Sequence, residues 1–166
     1  MLDKHDYREA MARLGAAVKV ITGRLADEPV GCTVSAVCSV TDEPPTVLVC
    51  INRSSQNNAA FKQAGALCIN VLSAEQRFIA ERFATRSIGA RERFGLAEWD
   101  ELATGAPALR GALASLDCEI VAASEVGTHT VFSCAVKAVR TAGRGDGLVY
   151  FGRGYHRLND ASSASV

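Results

Sequence analysis

The sequence predicts a mainly β, antiparallel protein that closes into a barrel and carries a few short helices. Apolar, β-branched runs of strand length recur along the chain, separated by Gly, Pro and Asp-Gly punctuation. The last three runs have no helical pattern between them, so they lack the crossovers that parallel strands need. Closure into a barrel is a natural way for such a sheet to remove its exposed edges.

The length and composition predict one soluble domain, residues 1–158, followed by a small, polar and flexible tail, residues 159–166. The 18 basic and 18 acidic residues balance, so nothing indicates a nucleic-acid partner. The charged start of the chain and the lack of any long apolar run lead us to expect no secretion, no membrane and a cytoplasmic location. The six cysteines form no CxxC pair, so we expect no metal site and mostly buried, reduced thiols.

In the first half of the chain, apolar residues at helical spacing predict a short helix over residues 3–14. A β-branched strand follows at residues 18–22, and a turn at 26–29 returns the chain into residues 30–40. Pro44 and Pro45 force an extended connection before a strand at 46–51. The hydroxyl groups of Ser54 and Ser55 can then cap a short helix over 57–63.

In the second half, a strand at residues 66–72 leads into a helix at 74–83, which Ser73 caps. Residues 85–112 are mostly loop. Strands follow at 114–124, 130–142 and 148–155, and the Asp146-Gly147 pair predicts a hairpin between the last two. In the first of these three strands, alternation predicts a solvated face that carries Asp117 and Glu119.

The stretch from Gly31 to Ser55, GCTVSAVCSVTDEPPTVLVCINRSS, is the best candidate for a binding site. Its small side chains allow a flat ligand to approach the backbone, and a Ser-Ser pair opening a helix can hold a phosphate. A planar, phosphorylated cofactor suits this arrangement. The sequence contains neither GxGxxG after a strand nor GxxxxGK[ST], so a Rossmann unit or a P-loop is not expected.

The same stretch resembles the flavin-binding segment of the short-chain flavin reductases that supply reduced flavin to two-component monooxygenases. The resemblance continues through four further segments: ALCINVL at 66–72, SLDCEI at 115–120, VGTH at 126–129 and LVYF at 148–151. It implies an FMN-binding Greek-key split barrel that transfers a hydride from NADH to FMN, or to FAD. It also implies a homodimer and a flavin-dependent monooxygenase as the partner protein.

The resemblance assigns roles to particular residues that composition alone leaves open. Thr33, Val34 and Ser35 would lie along the flavin ring, although β propensity by itself explains hydroxyl residues in a strand. The resemblance does not assign Ser39 to the ring, because Ser39 is farther along the chain than the ring-binding segment. A second group of residues would hold the ribityl chain and the phosphate: Cys50, Ile51, Asn52, Ser54 and Ser55. Ordinary helix capping by itself explains one of the two serines.

His129 would seat the nicotinamide, although a lone histidine at the start of a strand is more often structural. Many family members carry Asp between the Gly and the His of this motif, whereas this chain has Thr128. His156 is a second candidate near the cleft. One arginine of the basic stretch 82–93 would reach a phosphate, and the sequence does not select among Arg82, Arg86, Arg91 and Arg93.

Two alternatives stay open on the same barrel. One is a non-catalytic flavin-binding protein, and the other is a flavin-dependent oxidase acting on its own organic substrate. Fold alone does not separate them from a reductase, because function depends on the site.

Overall fold

The computed structural model describes residues 2–161, so residues 162–166 of the expected flexible tail lie outside the described residues. The helices are α1 (Lys4–Met11), α2 (Gln56–Ala64), α3 (Arg77–Ala84) and α4 (Ala90–Phe94), with a 3₁₀ turn at Ala74–Gln76. The strands are β1 (Ala16–Ala17), β2 (Lys19–Leu25), β3 (Glu28–Val34), β4 (Val37–Asp42), β5 (Pro45–Asn52), β6 (Ala66–Val71), β7 (Trp99–Glu101), β8 (Pro107–Leu109), β9 (Ala114–Val126), β10 (His129–Thr141), β11 (Gly147–Phe151) and β12 (Gly154–Leu158).

The strands of the described chain pair antiparallel, and the main sheet has the order β3-β2-β6-β9-β10-β5-β4. Its two edge strands, β3 and β4, are separated by only Ser35 and Ala36. In a flat sheet seven strands wide these edges would lie about 29 Å apart, at about 4.8 Å per spacing. The three residue steps from Val34 to Val37 span at most about 11 Å. The sheet must therefore roll into a barrel that is split between β3 and β4.

The order also contains the non-neighbour connection expected of a Greek key. β5 and β6 are consecutive in the chain, yet the β9–β10 hairpin lies between them, so α2 must cross over one end of the barrel. Phe61 of α2 fills that end of the barrel. Its ring packs closely on Gly23, because a Cβ added to Gly23 would lie 3.0 Å from the ring carbons. The barrel interior is filled by apolar side chains from these strands and from α2: Ile21, Val47, Val49, Ile51, Phe61, Leu67, Ile69, Cys118, Phe132 and Cys134.

Helix α3 covers the outside of the barrel next to the split. Ile79, Ala80 and Phe83 pack there on Val18 and Val20, and Leu148 joins the same cluster from the small sheet β1-β11-β12. The predicted helix over 74–83 is confirmed, and Ser73 N–H donates to Gln76 Oε1 at its start (3.0 Å). None of the helices in residues 2–161 is long and apolar enough to cross a membrane.

The predicted hairpin at Asp146-Gly147 is wrong. β10 and β11 belong to different sheets, and the hairpin partner of β10 is β9, across the Gly127-Thr128 turn. The expected strand 148–155 is itself two strands, β11 and β12, joined by Gly152 and Arg153, which both have positive φ (56° and 66°). The Asp146 carboxylate instead accepts a hydrogen bond from the backbone N–H of Asp160 (2.8 Å), and this bond explains why Asp146 lies in a loop.

Two further expectations need correction. Asp117 was expected on a solvated face, but it is fully buried, because the β7–β8 hairpin in the expected loop 85–112 covers that side of β9. Its carboxylate accepts the backbone N–H groups of Ala103 and Thr104 at 2.6 and 2.7 Å. Residues 30–40 do not form one extended run, since the break at Ser35 and Ala36 separates β3 from β4.

Candidate active site

The residues predicted to bind a cofactor come together at the split in the barrel. Two cavities, of about 360 and 470 Å³, adjoin there and share Ser55, Asn57, Arg86 and Arg93 in their walls. The smaller is lined by the end of β3, the β3–β4 connection, the end of β5 and His129, which includes all the predicted site residues except Ser54. Ser54 lines the larger cavity. We call the two cavities together the split groove.

Cys32 to Ala36 form one wall of the split groove. The Thr33 hydroxyl donates to the Ala80 carbonyl (2.6 Å), so this side chain fastens α3 to β3 rather than staying free for a ligand. The Ser35 carbonyl accepts the Val37 N–H (2.9 Å). Among the described residues, the backbone N–H groups of Ser35 and Ala36 have no acceptor. This wall therefore offers backbone donors to a ligand.

The turn from β5 into α2 forms the polar end of the groove. Asn52 Oδ1 accepts both the backbone N–H and the hydroxyl of Ser54, each at 2.8 Å. Ser55 is the N-cap of α2, and its Oγ accepts the Asn57 N–H (3.3 Å). Both serine hydroxyls thus have local structural roles. What this end presents to a ligand is the positive end of the α2 dipole, which favours anions.

Two arginines of the basic stretch, Arg86 and Arg93, line both cavities, whereas Arg82 and Arg91 line neither. Arg93 donates to the carbonyls of Gly31 (3.2 Å) and Thr85 (2.6 Å), but its buried Nε has no partner within residues 2–161. The Arg86 side chain makes no hydrogen bond or ion pair with any described residue. No Asp or Glu of the described part of the chain lines either cavity. The groove is therefore a cationic site without a counter-charge.

A network on Glu125 fixes the polar end of the groove relative to the β9–β10 turn. The carboxylate pairs with Arg53 (2.7 Å) and Lys62, and it accepts the Thr130 hydroxyl (3.1 Å). The hydrogen bond from Lys62 is the main reason why the pKa of Glu125 is lowered. Buried Asn58 also donates to Thr130 Oγ1 (2.9 Å). Arg53 and Lys62 share this one carboxylate and line neither cavity, so Arg86 and Arg93 are the cations that face the groove.

His129 is exposed at the first position of β10, opposite Asn52 of β5. Its Nδ1 lies 2.9 Å from Thr128 Oγ1, within hydrogen-bond distance. The Thr128 hydroxyl thus holds the imidazole at this turn. His156 lies elsewhere: it is in β12, its Nε2 is 3.0 Å from the Phe151 carbonyl oxygen, and it lines neither cavity.

The thiols in the groove are poor nucleophiles. Burial raises the pKa of Cys32 to about 12, and burial followed by the neighbouring Cys38 raises the pKa of Cys50. All six cysteines are free. Residues 2–161 bring together no cluster of His, Cys, Asp and Glu suited to a metal ion.

Sequence reasoning missed some groove residues: Ala36, Phe83 and the loop 87–90. Ala36 lay within a stretch expected to be continuous, and its only signal was the small Ser-Ala pair at the strand break. The loop carried no distinguishing motif, and only the fold shows that it closes one side of the larger cavity.

Comparisons with known proteins agree with this fold. Residues 11–159 match the family model "Flavin reductase like domain", and the chain therefore belongs to the flavin reductase-like family. It is 47% identical over 158 residues to the FMN reductase (NADH) RutF of Stutzerimonas stutzeri, covering 95% of this chain and 90% of the relative. It is also 47% identical over 153 residues to the 4-hydroxyphenylacetate 3-monooxygenase reductase component of Pseudomonas aeruginosa, covering 92% and 90%.

Solved structures show the same architecture. A crystal structure assigned to a flavin reductase of Haemophilus somnus 129PT superimposes with a TM-score of 0.92 at 39% identity. The match covers 95% of this chain and 100% of that one. The antiparallel split barrel predicted from the sequence is confirmed.

Proposed function

We propose that this protein is an NADH-dependent FMN reductase that releases reduced FMN to a flavin-dependent monooxygenase. Its relatives include proteins named FMN reductase (NADH) and monooxygenase reductase component. The observation in the structure that supports this best is the makeup of the split groove. One end is cationic and has no carboxylate, and the other end carries unpaired backbone donors.

The groove suits FMN in size and in chemistry. Its two cavities, about 470 and 360 Å³, fall within the usual range of about 300–1,000 Å³ for ligand sites. The α2 N-terminus with Arg86 and Arg93 would hold the phosphate, since arginine forks match phosphate geometry. The unpartnered Arg93 Nε supports this role. The segment from Thr33 to Ser35 would hold the ring, with Ala36 N–H as a further donor, and Cys50, Ile51 and Asn52 would line the ribityl chain.

Bound FMN would supply the redox chemistry, accepting two electrons and a proton as a hydride from NADH. The protein's residues would hold the two rings in contact and exclude water, which is the main contribution a protein makes to such a transfer. No general base is required at the site. The groove agrees with this, because it is lined by neither carboxylates nor activated thiols.

His129 would help to seat the nicotinamide at the open side of the ring site. Its Nδ1 is occupied by the Thr128 hydroxyl, which orients the imidazole and leaves Nε2 available to a ligand. A neutral hydroxyl can fix the ring orientation without adding the negative charge that a carboxylate would bring beside an anionic dinucleotide.

We also propose that the protein is a cytoplasmic homodimer. The apolar side chains of α1 support this assembly, because Tyr7, Met11 and the following Leu14 remain 53%, 41% and 65% exposed in the single chain. Exposed apolar groups at helical spacing commonly mark an interface. Light scattering on the purified protein should give twice the mass of one chain, and a monomer that binds FMN stoichiometrically would refute the dimer.

The function is tested by mixing the protein with FMN and NADH under nitrogen. We expect fast, NADH-saturable bleaching of the visible absorbance of oxidised flavin, with FAD tested in parallel as a second acceptor. Binding of FMN without bleaching would indicate a non-catalytic flavin-binding protein. Bleaching only by an organic substrate would indicate an oxidase.

A further inference from the structure

Lys19 is a buried cation that lies outside the lining of the split groove. It begins β2, where it pairs with Val34 of β3 and Val71 of β6, and it is only 8% exposed. Within residues 2–161 it forms no ion pair with a carboxylate. Burial lowers the pKa of its ammonium group, because lost hydration is not replaced by a counter-charge. A buried lysine without a paired acid is uncommon and costs stability.

Among residues 2–161 the Lys19 ammonium group has one acceptor, and that acceptor belongs to the wall of the split groove. Nζ donates to the Ser35 carbonyl at 3.0 Å, and the Val37 N–H donates to the same oxygen at 2.9 Å. In a trans peptide the following N–H points away from the carbonyl. The Ala36 N–H is therefore directed away from Lys19, and Ala36 lines the cavity.

This geometry links the positive charge of Lys19 to the wall of the split groove through the Ser35–Ala36 peptide unit. A hydrogen bond from an ammonium group to one end of a peptide unit polarises it and makes the N–H at its other end a stronger donor. The positive charge itself lies one peptide unit behind the wall, in a region of low dielectric where it is poorly screened. An anionic group bound at Ala36 would be stabilised by both effects.

We propose that Lys19 is a positioning residue that makes the split groove bind reduced flavin more tightly than oxidised flavin. This inference rests on the proposed function. A hydride from NADH brings two electrons and one proton, so NADH leaves as NAD⁺ and the flavin ring gains one negative charge. The Lys19 charge favours that product state and thus raises the reduction potential of bound FMN.

The test separates charge from tethering with two substitutions. Lys19→Gln keeps a donor for the Ser35 carbonyl and removes the charge, while Lys19→Arg keeps both. Lys137→Gln is the control, because Lys137 is an exposed lysine paired with Glu119 (2.8 Å) outside the groove. Dissociation constants for oxidised and for pre-reduced FMN are measured anaerobically, and thermal unfolding is followed on the same proteins.

We expect Lys19→Gln to weaken the preference for reduced over oxidised FMN about tenfold, which lowers the two-electron potential of bound FMN by about 30 mV. Lys19→Arg and Lys137→Gln should leave the preference unchanged. Equal loss of affinity for both redox states, or the same change in Lys19→Arg as in Lys19→Gln, would show a structural tether and overturn the proposal.

If Lys19→Gln does not fold, Lys19→Met provides a second neutral variant with the same expected shift. Wild-type protein that binds no FMN, or whose bound FMN is not reduced by NADH, would refute the proposed function. If the wild-type protein is active and both neutral variants keep its preference for reduced over oxidised FMN, only the role of Lys19 is refuted.

Discussion

Arg86 offers the cleanest test of how the groove holds phosphate. Its side chain lines both cavities and makes no hydrogen bond or ion pair with a described residue that its removal could disturb. Arg86→Ala should therefore leave stability unchanged and weaken FMN binding. A hydrogen bond to a charged group contributes about 1.5–3 kcal/mol. Because Arg86 is exposed and screened by salt, about 1–2 kcal/mol is the better expectation, or roughly 5- to 30-fold in Kd.

The assay is a pair of fluorescence titrations, with FMN and with riboflavin, which lacks the phosphate. Arg86→Ala should lose affinity for FMN and keep its affinity for riboflavin. Arg82→Ala is the matched control, because Arg82 is also an exposed arginine whose side chain has no hydrogen bond or ion pair within residues 2–161, but it lies outside both cavities. Equal losses for the two ligands, or an equal effect of Arg82→Ala, would refute the phosphate assignment.

Three further predictions follow from the same geometry. His129→Ala should raise the KM for NADH at nearly unchanged FMN affinity, and unchanged NADH kinetics in a stable protein would remove His129 from the site. Gly31→Ala should lose about 1–3 kcal/mol of unfolding free energy in urea, because its Cβ would lie 2.9 Å from the Ile21 carbonyl oxygen; wild-type stability would contradict this packing. The hydrogen bond from the Asp160 N–H lowers the pKa of Asp146. The contribution of this carboxylate to the free energy of unfolding should therefore be complete above about pH 4 and decrease as acid protonates it. An Asp146→Asn variant with the same acid profile as wild type would contradict this.

The sequence was sufficient where local chemistry decides the outcome. The Ser55 cap of α2 follows from a rule that involves only neighbouring residues, and this prediction is confirmed. Gly65, which ends the helix with φ 68°, has an equally local reason, because glycine adopts that conformation without strain. The faces of β10 also alternate as strand periodicity requires, with Phe132 and Cys134 in the core and His129 outside.

The sequence failed where partners are distant in the chain. Asp146-Gly147 has good turn chemistry, but a turn signal does not say which strands will pair, and the reversals that do occur use Gly127-Thr128 and Gly152-Arg153. The burial of Asp117 depends on β7 and β8, which fold over it from a loop-like stretch.

The same limit applies to the candidate site. The four arginines between 82 and 93 look alike in sequence, and only the packing of α3 and α4 beside β3 directs Arg86 and Arg93 toward the groove. Lys19 was visible as a charge within an apolar strand, but its acceptor, the Ser35 carbonyl, is set by the register between β2 and β3.

The central claim, that the split groove is the flavin site, is tested most directly by a crystal structure of the protein with FMN. We expect the phosphate at the α2 N-terminus, within hydrogen-bond distance of Arg86 or Arg93, and the ring against the backbone of Ser35 and Ala36. FMN bound outside the groove, or bound with its phosphate at the Ser35 end, would contradict it.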